Sequence, residues 1–233
     1  VEPHLARQVG PDATPFTALN AAFIQDGAFV RIPAGVQLET PIQICFLTSA
    51  DAGRVMTHPR NLIVVEDGAR AALIESYHAV DAEGEDRRRQ AKEGEVSTDE
   101  RLAHPRPSSP ILAPYFTNAV TEVALADGAA VEHYKVQDEP DTAFHLGLLD
   151  VHQGRASRFS SHSVALGSSI ARHEVRVGLE AEGAEVSLDG LYMARGDQHH
   201  DNPILIEHAA PRCTSRQLYK GVVDGRGHGV FNG

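Results

Sequence analysis

The sequence predicts an all-β protein, and three observations carry that prediction. Short runs of β-type residues recur between Gly-centred turns, few segments space their apolar residues at helical intervals, and four stretches share one strand–turn–strand plan. The four are NLIVVEDGARAALIE, VTEVALADGAAVEHYKV, LLDVHQGRASRFSSH and VRVGLEAEGAEVSLDG, with turn glycines at Gly68, Gly128, Gly154 and Gly183. Glycine takes positive φ without steric cost, and Asp-Gly, Gln-Gly and Glu-Gly pairs form turns readily. The last three glycines are 26 and 29 residues apart, so the unit recurs roughly rather than strictly. A unit of this size cannot bury its own apolar face, and stacking coil on coil into a parallel solenoid is one solution. A β-sandwich or a cupin-like barrel produces the same local pattern.

In chain order, Ile42, Ile44 and Phe46 alternate with polar or small residues and predict the first clear strand. Residues 81–114 break the pattern. DAEGEDRRRQAKEGEVSTDERLAHPRPSSPILAP is rich in charges of both signs, closes on four prolines and shows no alternation. Such a composition buries too little to offset the entropy of ordering, so an insertion between two strands is expected there. The clearest strand spans 174–180, where Val175, Val177 and Leu179 alternate with Glu174, Arg176, Gly178 and Glu180.

With 233 residues, 42% hydrophobic and 23% charged, the chain has the composition of a folded globular protein, and one repetitive β domain accounts for it. The formal net charge is −11 and no stretch gathers Lys and Arg on one face, which removes the electrostatic basis for binding nucleic acid or anionic membrane. No run of about 18 apolar residues occurs, the first ten residues lack a signal-type apolar core, and the two cysteines allow at most one bridge. A reducing, cytoplasmic setting is the expectation.

Enzyme signatures fail in turn. GRGHG (225–229) lacks the G-x-G-x-x-G spacing, no Gly-rich turn is followed by Gly-Lys-Ser/Thr, and no G-x-S-x-G elbow occurs. Thirteen histidines raise the question of metal, yet no His-x-His places two imidazoles on one strand face. The densest group is His199, His200, His208 and Cys213. Adjacent His199 and His200 point to opposite faces of an extended chain, so His208 and Cys213 are left as the candidate metal ligands, against an ordinary structural role. Cys45 reads as a small hydrophobe in a strand. Cys213 follows Pro211 beside Arg212 and Arg216, cations that favour thiolate. No catalytic set converges, and the competing reading is a β-helix or cupin-type enzyme acting on carbohydrate or a small metabolite. The absence of Trp and of His-x-His weakens it.

The C-terminal third carries a resemblance. HAAP at 208–211, CTSR at 213–216, LYKG at 218–221 and GVFNG at 229–233 resemble the signature blocks of the SufB/SufD family of iron–sulfur cluster assembly proteins, in its SufD branch. THPRNLIVVEDGA (57–69), YFTNAVTEVAL (115–125) and EHYKVQDE (132–139) are similar to the same family. Pro203 stands where the family often has His. The resemblance implies a right-handed parallel β-helix and a non-catalytic scaffold of the SufBCD complex. Its implied partners are SufB and the ATPase SufC. The complex assembles the iron–sulfur cluster, and this segment is expected to bind no cofactor itself. Relative to the family, helical regions at both ends are expected to be absent, along with the later coils and their Cys-x-His pair. A solenoid open at its last coil exposes unpaired backbone and apolar edge, so self-association through that end is expected.

Overall fold

A computed structural model of the chain describes residues 9–10, 13–49, 54–80 and 114–233. It is a parallel β-solenoid of about six turns, which sets aside the sandwich and the cupin-like barrel. One sheet (sheet A) is built from β1 (Phe29–Ile32), β3 (Met56–Thr57), β4 (Arg60–Val65), β6 (Phe116–Leu125), β8 (Phe144–Gln153), β10 (Ile170–Leu179), β12 (His199–His208) and β14 (His228–Asn232). The facing sheet (sheet B) stacks β2 (Ile42–Ser49), β5 (Arg70–Val80), β7 (Ala130–Asp138), β9 (Arg158–Ala165), β11 (Glu185–Ala194) and β13 (Thr214–Val223). Apart from β3, which pairs with β6 alongside β4, successive strands alternate between the two sheets, and the ladders are parallel. The insertion expected at 81–114 lies outside the described residues apart from Pro114.

One corner explains the repeat. The chain leaves each sheet A strand, makes a tight turn through a left-handed residue, and enters the sheet B strand of the same coil. That residue is Gly68, Gly128, Ala156, Gly183 and Arg212 in successive coils, each with φ between 51° and 75°. The amide of each of the first four donates to a carbonyl of the next coil's turn, Gly68 to Asp127 and Ala156 to Glu182 among them, so the ladder runs unbroken through the corner. From 128 to 156, 156 to 183 and 183 to 212 the steps are 28, 27 and 29 residues, a tighter period than the glycines alone suggest. Gly154 is therefore not the left-handed member. A Cβ there would lie 2.9 Å from the Ala126 carbonyl carbon, so this glycine serves a close backbone approach.

Left-handed backbone costs a non-Gly residue about 1–2 kcal/mol, and the extra freedom of an unfolded glycine returns about 0.5–1 of it. Ala156→Gly should accordingly stabilise the chain by about 0.5–1 kcal/mol, read as a higher urea midpoint with unchanged slope.

Register divides the interior across its width. On the corner side inward residues are apolar: Ala71, Val131, Phe159 and Val186 stack in sheet B, facing Ile63, Val123, Val151 and Val177 in sheet A. Val175, Val177 and Leu179 point inward as their alternation predicts. A column of small residues lines the corner itself: Ala69, Ala129, Ser157 and Ala184, all fully buried. Away from the corner the inward positions turn polar.

The short helix α1 (Pro15–Phe23) lies against sheet A. Thr14 caps it, accepting from the Thr17 amide at 3.1 Å, while Thr17 Oγ1 accepts from the Thr14 amide at 2.8 Å, and Pro15 sits where a missing N–H costs nothing. Asn20 anchors the helix by donating to the carbonyls of Pro59 and Asn118.

Candidate functional site

The polar half of the interior is the chemically distinctive part of the molecule. It is assembled by strand alternation: Glu75 and Tyr77 on β5, His133, Lys135 and Gln137 on β7, His145 on β8 and His173 on β10 all point inward, with Glu139 following β7. All of them are buried. Isolated buried charges are very costly, so their partners decide whether the arrangement stands.

Two carboxylates organise it. Glu75 accepts from Tyr77 OH at 2.6 Å and from Thr121 Oγ1 at 2.8 Å, with His133 Nε2 at 3.5 Å. Burial alone would raise its pKa, yet His133, Lys135 and Tyr77 together hold it far below the ordinary carboxylate range. Glu139 Oε2 lies 2.8 Å from His145 Nδ1 and 2.9 Å from Gln137 Nε2, while its Oε1 accepts from Thr117 Oγ1 at 3.2 Å. Its pKa is also lowered against burial, first by His145.

Between the carboxylates stands Lys135. Its Nζ lies 3.2 Å from His173 Nδ1 and 5.4 Å from the centroid of the Tyr77 ring. An ammonium only donates, so His173 Nδ1 accepts and the His173 proton sits on Nε2. Burial lowers the pKa of Lys135 and, with the Lys135 charge beside them, those of His145 and His173. Gly147 makes the room, because a Cβ there would run into Lys135 Nζ and stand 3.2 Å from His145 Nε2. A cavity of about 20 Å³ adjoins, lined by Lys135, His145, His173, His200 and Asn202 among others, the size of one water molecule.

These groups mostly address one another. The arrangement is an internal ion and hydrogen-bond network that fixes the registry of the β5, β7, β8 and β10 coils. Its pH dependence follows by linkage. The folded pKa values of His145 and His173 lie below 6.5, so the unfolded chain binds more protons there, and stability falls as pH drops through that value. Glu75 and Glu139 have depressed folded values, so their contribution is present above about 4.5 and is lost as pH falls further. Urea midpoints measured from pH 8 to pH 4 should decline from about pH 6.5 downward and more steeply below about 4.5.

Part of the network lines a pocket at the surface. A pocket of 590 Å³ lies between α1, β2 and β3, and Tyr77, Thr117 and Glu139 are among its lining residues. Cys45 also lines it, and this thiol is exposed on the outer phase of β2 rather than packed as a small hydrophobe.

The sequence candidates lie elsewhere. His208 ends β12 and its Nε2 is 3.0 Å from Ser215 Oγ. Cys213 continues the corner column of Ala69, Ala129, Ser157 and Ala184, and its thiol donates to the Ala181 carbonyl at 3.3 Å. As strand alternation requires, His200 is buried inside while His199 stacks outside on His228, ring centroids 4.7 Å apart. Among the described residues no group of three or more His, Cys, Asp or Glu is placed to hold a metal ion. No described helix is long and apolar enough to cross a membrane.

Comparison with known proteins covers nearly the whole chain. Residues 91–233 match the family model described as SUF system FeS cluster assembly, SufBD core domain, and residues 1–44 match the SufBD protein N-terminal region. A SufBD family iron–sulfur cluster assembly protein of Synechocystis is 32% identical over 218 residues, 94% of this chain and 43% of that protein. The iron–sulfur cluster assembly protein SufD of Escherichia coli is 25% identical over 232 residues, 97% of this chain and 48% of its own length. SufD of Bacillus subtilis is 23% identical over 223 residues, covering 95% and 44%. The chain thus spans less than half the length of these curated relatives.

Proposed function

The chain belongs to the SufB/SufD family of iron–sulfur cluster assembly proteins, and from that membership we propose that it is a non-catalytic, cytoplasmic scaffold subunit of a SufBCD complex, pairing with SufB and with the ATPase SufC. The observation that carries the reading is how the interior acid–base groups are used. Glu75, Glu139, His133, His145, Lys135 and His173 form ion pairs and hydrogen bonds with one another and with neighbouring hydroxyls, which suits a rigid support better than a turnover site. A parallel solenoid adds stiffness, since each strand is held by a ladder on both sides except at the ends.

The reading is tested by reconstitution with the full-length protein. SufC ATPase rate and iron content are measured with SufB alone and with SufB plus this protein. A rise in both on its addition supports the scaffold. No change in either contradicts it.

A further inference from the structure

The 590 Å³ pocket between α1, β2 and β3 falls in the range of small-molecule sites, about 300–1,000 Å³. Two features of its lining are independent of each other. Its walls are apolar and aromatic, with Phe23, Phe46, Leu47 and Met56, and Phe46 stacks on Tyr77 with ring centroids 4.9 Å apart. Among the described residues its charged lining residues are acidic: Asp26, exposed at the rim, and Glu139, buried. His58, also in the lining, has its pKa lowered by burial, which favours the neutral imidazole.

We propose that this pocket is a binding site for a small organic cation, a protonated amine carried on an aromatic or aliphatic body. The body lies against Phe46 and the apolar wall, and the ammonium is held by the field of Asp26 and Glu139. Glu139 is kept ionised by His145 and Gln137 from inside the solenoid, so a negative charge is already present at the pocket. Its Oε1 takes a hydrogen bond from Thr117, and the Tyr115 hydroxyl also lies against the carboxylate. Carboxylates and phosphates would meet two like charges, Asp26 and Glu139, among the described lining residues.

Cys45 supplies the reporter, because it is among the residues at the pocket and its side chain is exposed. The Cys213→Ser variant leaves it as the one thiol of this chain, and Ser157 already fills the equivalent place in the corner column. In the full protein, any further cysteines outside this chain are replaced by serine. The experiment follows alkylation of Cys45 by iodoacetamide, at pH 7.5, with phenethylamine, 2-phenylethanol or phenylacetate present at millimolar concentration. Phenethylamine should slow alkylation at least fivefold in a saturable way, phenylethanol less, and phenylacetate not at all. Asp26→Asn, which lies outside the buried network, should weaken the phenethylamine protection severalfold while leaving that by phenylethanol unchanged. Equal protection by amine and carboxylate, or none from the amine, overturns the proposal. So does protection by Mg²⁺ alone matching that of the amine, which would make the site one for inorganic cations. None of these outcomes depends on SufB or SufC, so the result stands apart from the scaffold reading.

Discussion

Glu75→Leu is expected to destabilise the protein by about 3–5 kcal/mol, the cost of removing one partner from a buried ionic network. The carboxylate is fully enclosed and receives hydrogen bonds from Tyr77 and Thr121 while balancing His133 and Lys135. Without it, Lys135 keeps a buried charge with only Glu139 to answer it, and two hydroxyls lose their acceptor. Glu75→Gln retains an acceptor for Tyr77 or Thr121 but no charge, and should lose less. Chemical denaturation of both variants at pH 7 checks the order. A Glu75→Leu protein as stable as the parent would mean that the interior network contributes registry without stability, as some buried ion pairs do.

The second large effect is expected at Arg60, and it is local in a way that Glu75 is not. Arg60 lies outside the polar interior, on the face of sheet A that the N-terminal segment covers. Its guanidinium meets Glu122 at 2.6–2.7 Å and donates to the Val9 carbonyl at 2.9 Å, and Glu122 in turn accepts from the Val9 amide at 3.2 Å. One buried ion pair thus clips the segment at Val9 onto the solenoid, beside the Asn20 anchor of α1. Arg60→Met leaves the Glu122 carboxylate buried without its cation, and a loss of about 3–5 kcal/mol follows. Hydrogen exchange locates the effect: amides of Val9 and of the first turn of α1 should lose protection first, while β8 and β10 keep theirs until global unfolding.

The coil plan was legible in the sequence because the turns repeat and the inward phase on the corner side is apolar. Val175, Val177 and Leu179 show it most simply. The turn glycines were half legible. Gly68, Gly128 and Gly183 are left-handed as expected, but a non-Gly residue holds that position in two coils, and only the ladder through Ala156 and Arg212 shows the true register. The polar interior was not legible for a related reason. In AVEHYKVQD the inward set is Val131, His133, Lys135 and Gln137, while the outward set includes Tyr134 and Val136, so the usual sense of alternation is inverted along the second half of the strand. A polar phase reads as solvent-facing unless the coil above is known to supply Glu75 and the facing sheet His145 and His173. The same geometry separates the residues that the sequence brings close together. Nearness in sequence gathered His199, His200, His208 and Cys213, whereas the fold sends His199 outward, His200 inward and Cys213 into a column of small residues.

Family membership and the continuous parallel ladders lead to one account, a stiff solenoid that acts by holding partners. The measurement that tests it most directly is the mass, by light scattering after size-exclusion chromatography, of the full-length protein mixed with SufB and SufC. The account predicts a single species containing all three chains. Elution of this protein apart from both partners, at a mass unaffected by their presence, would contradict it.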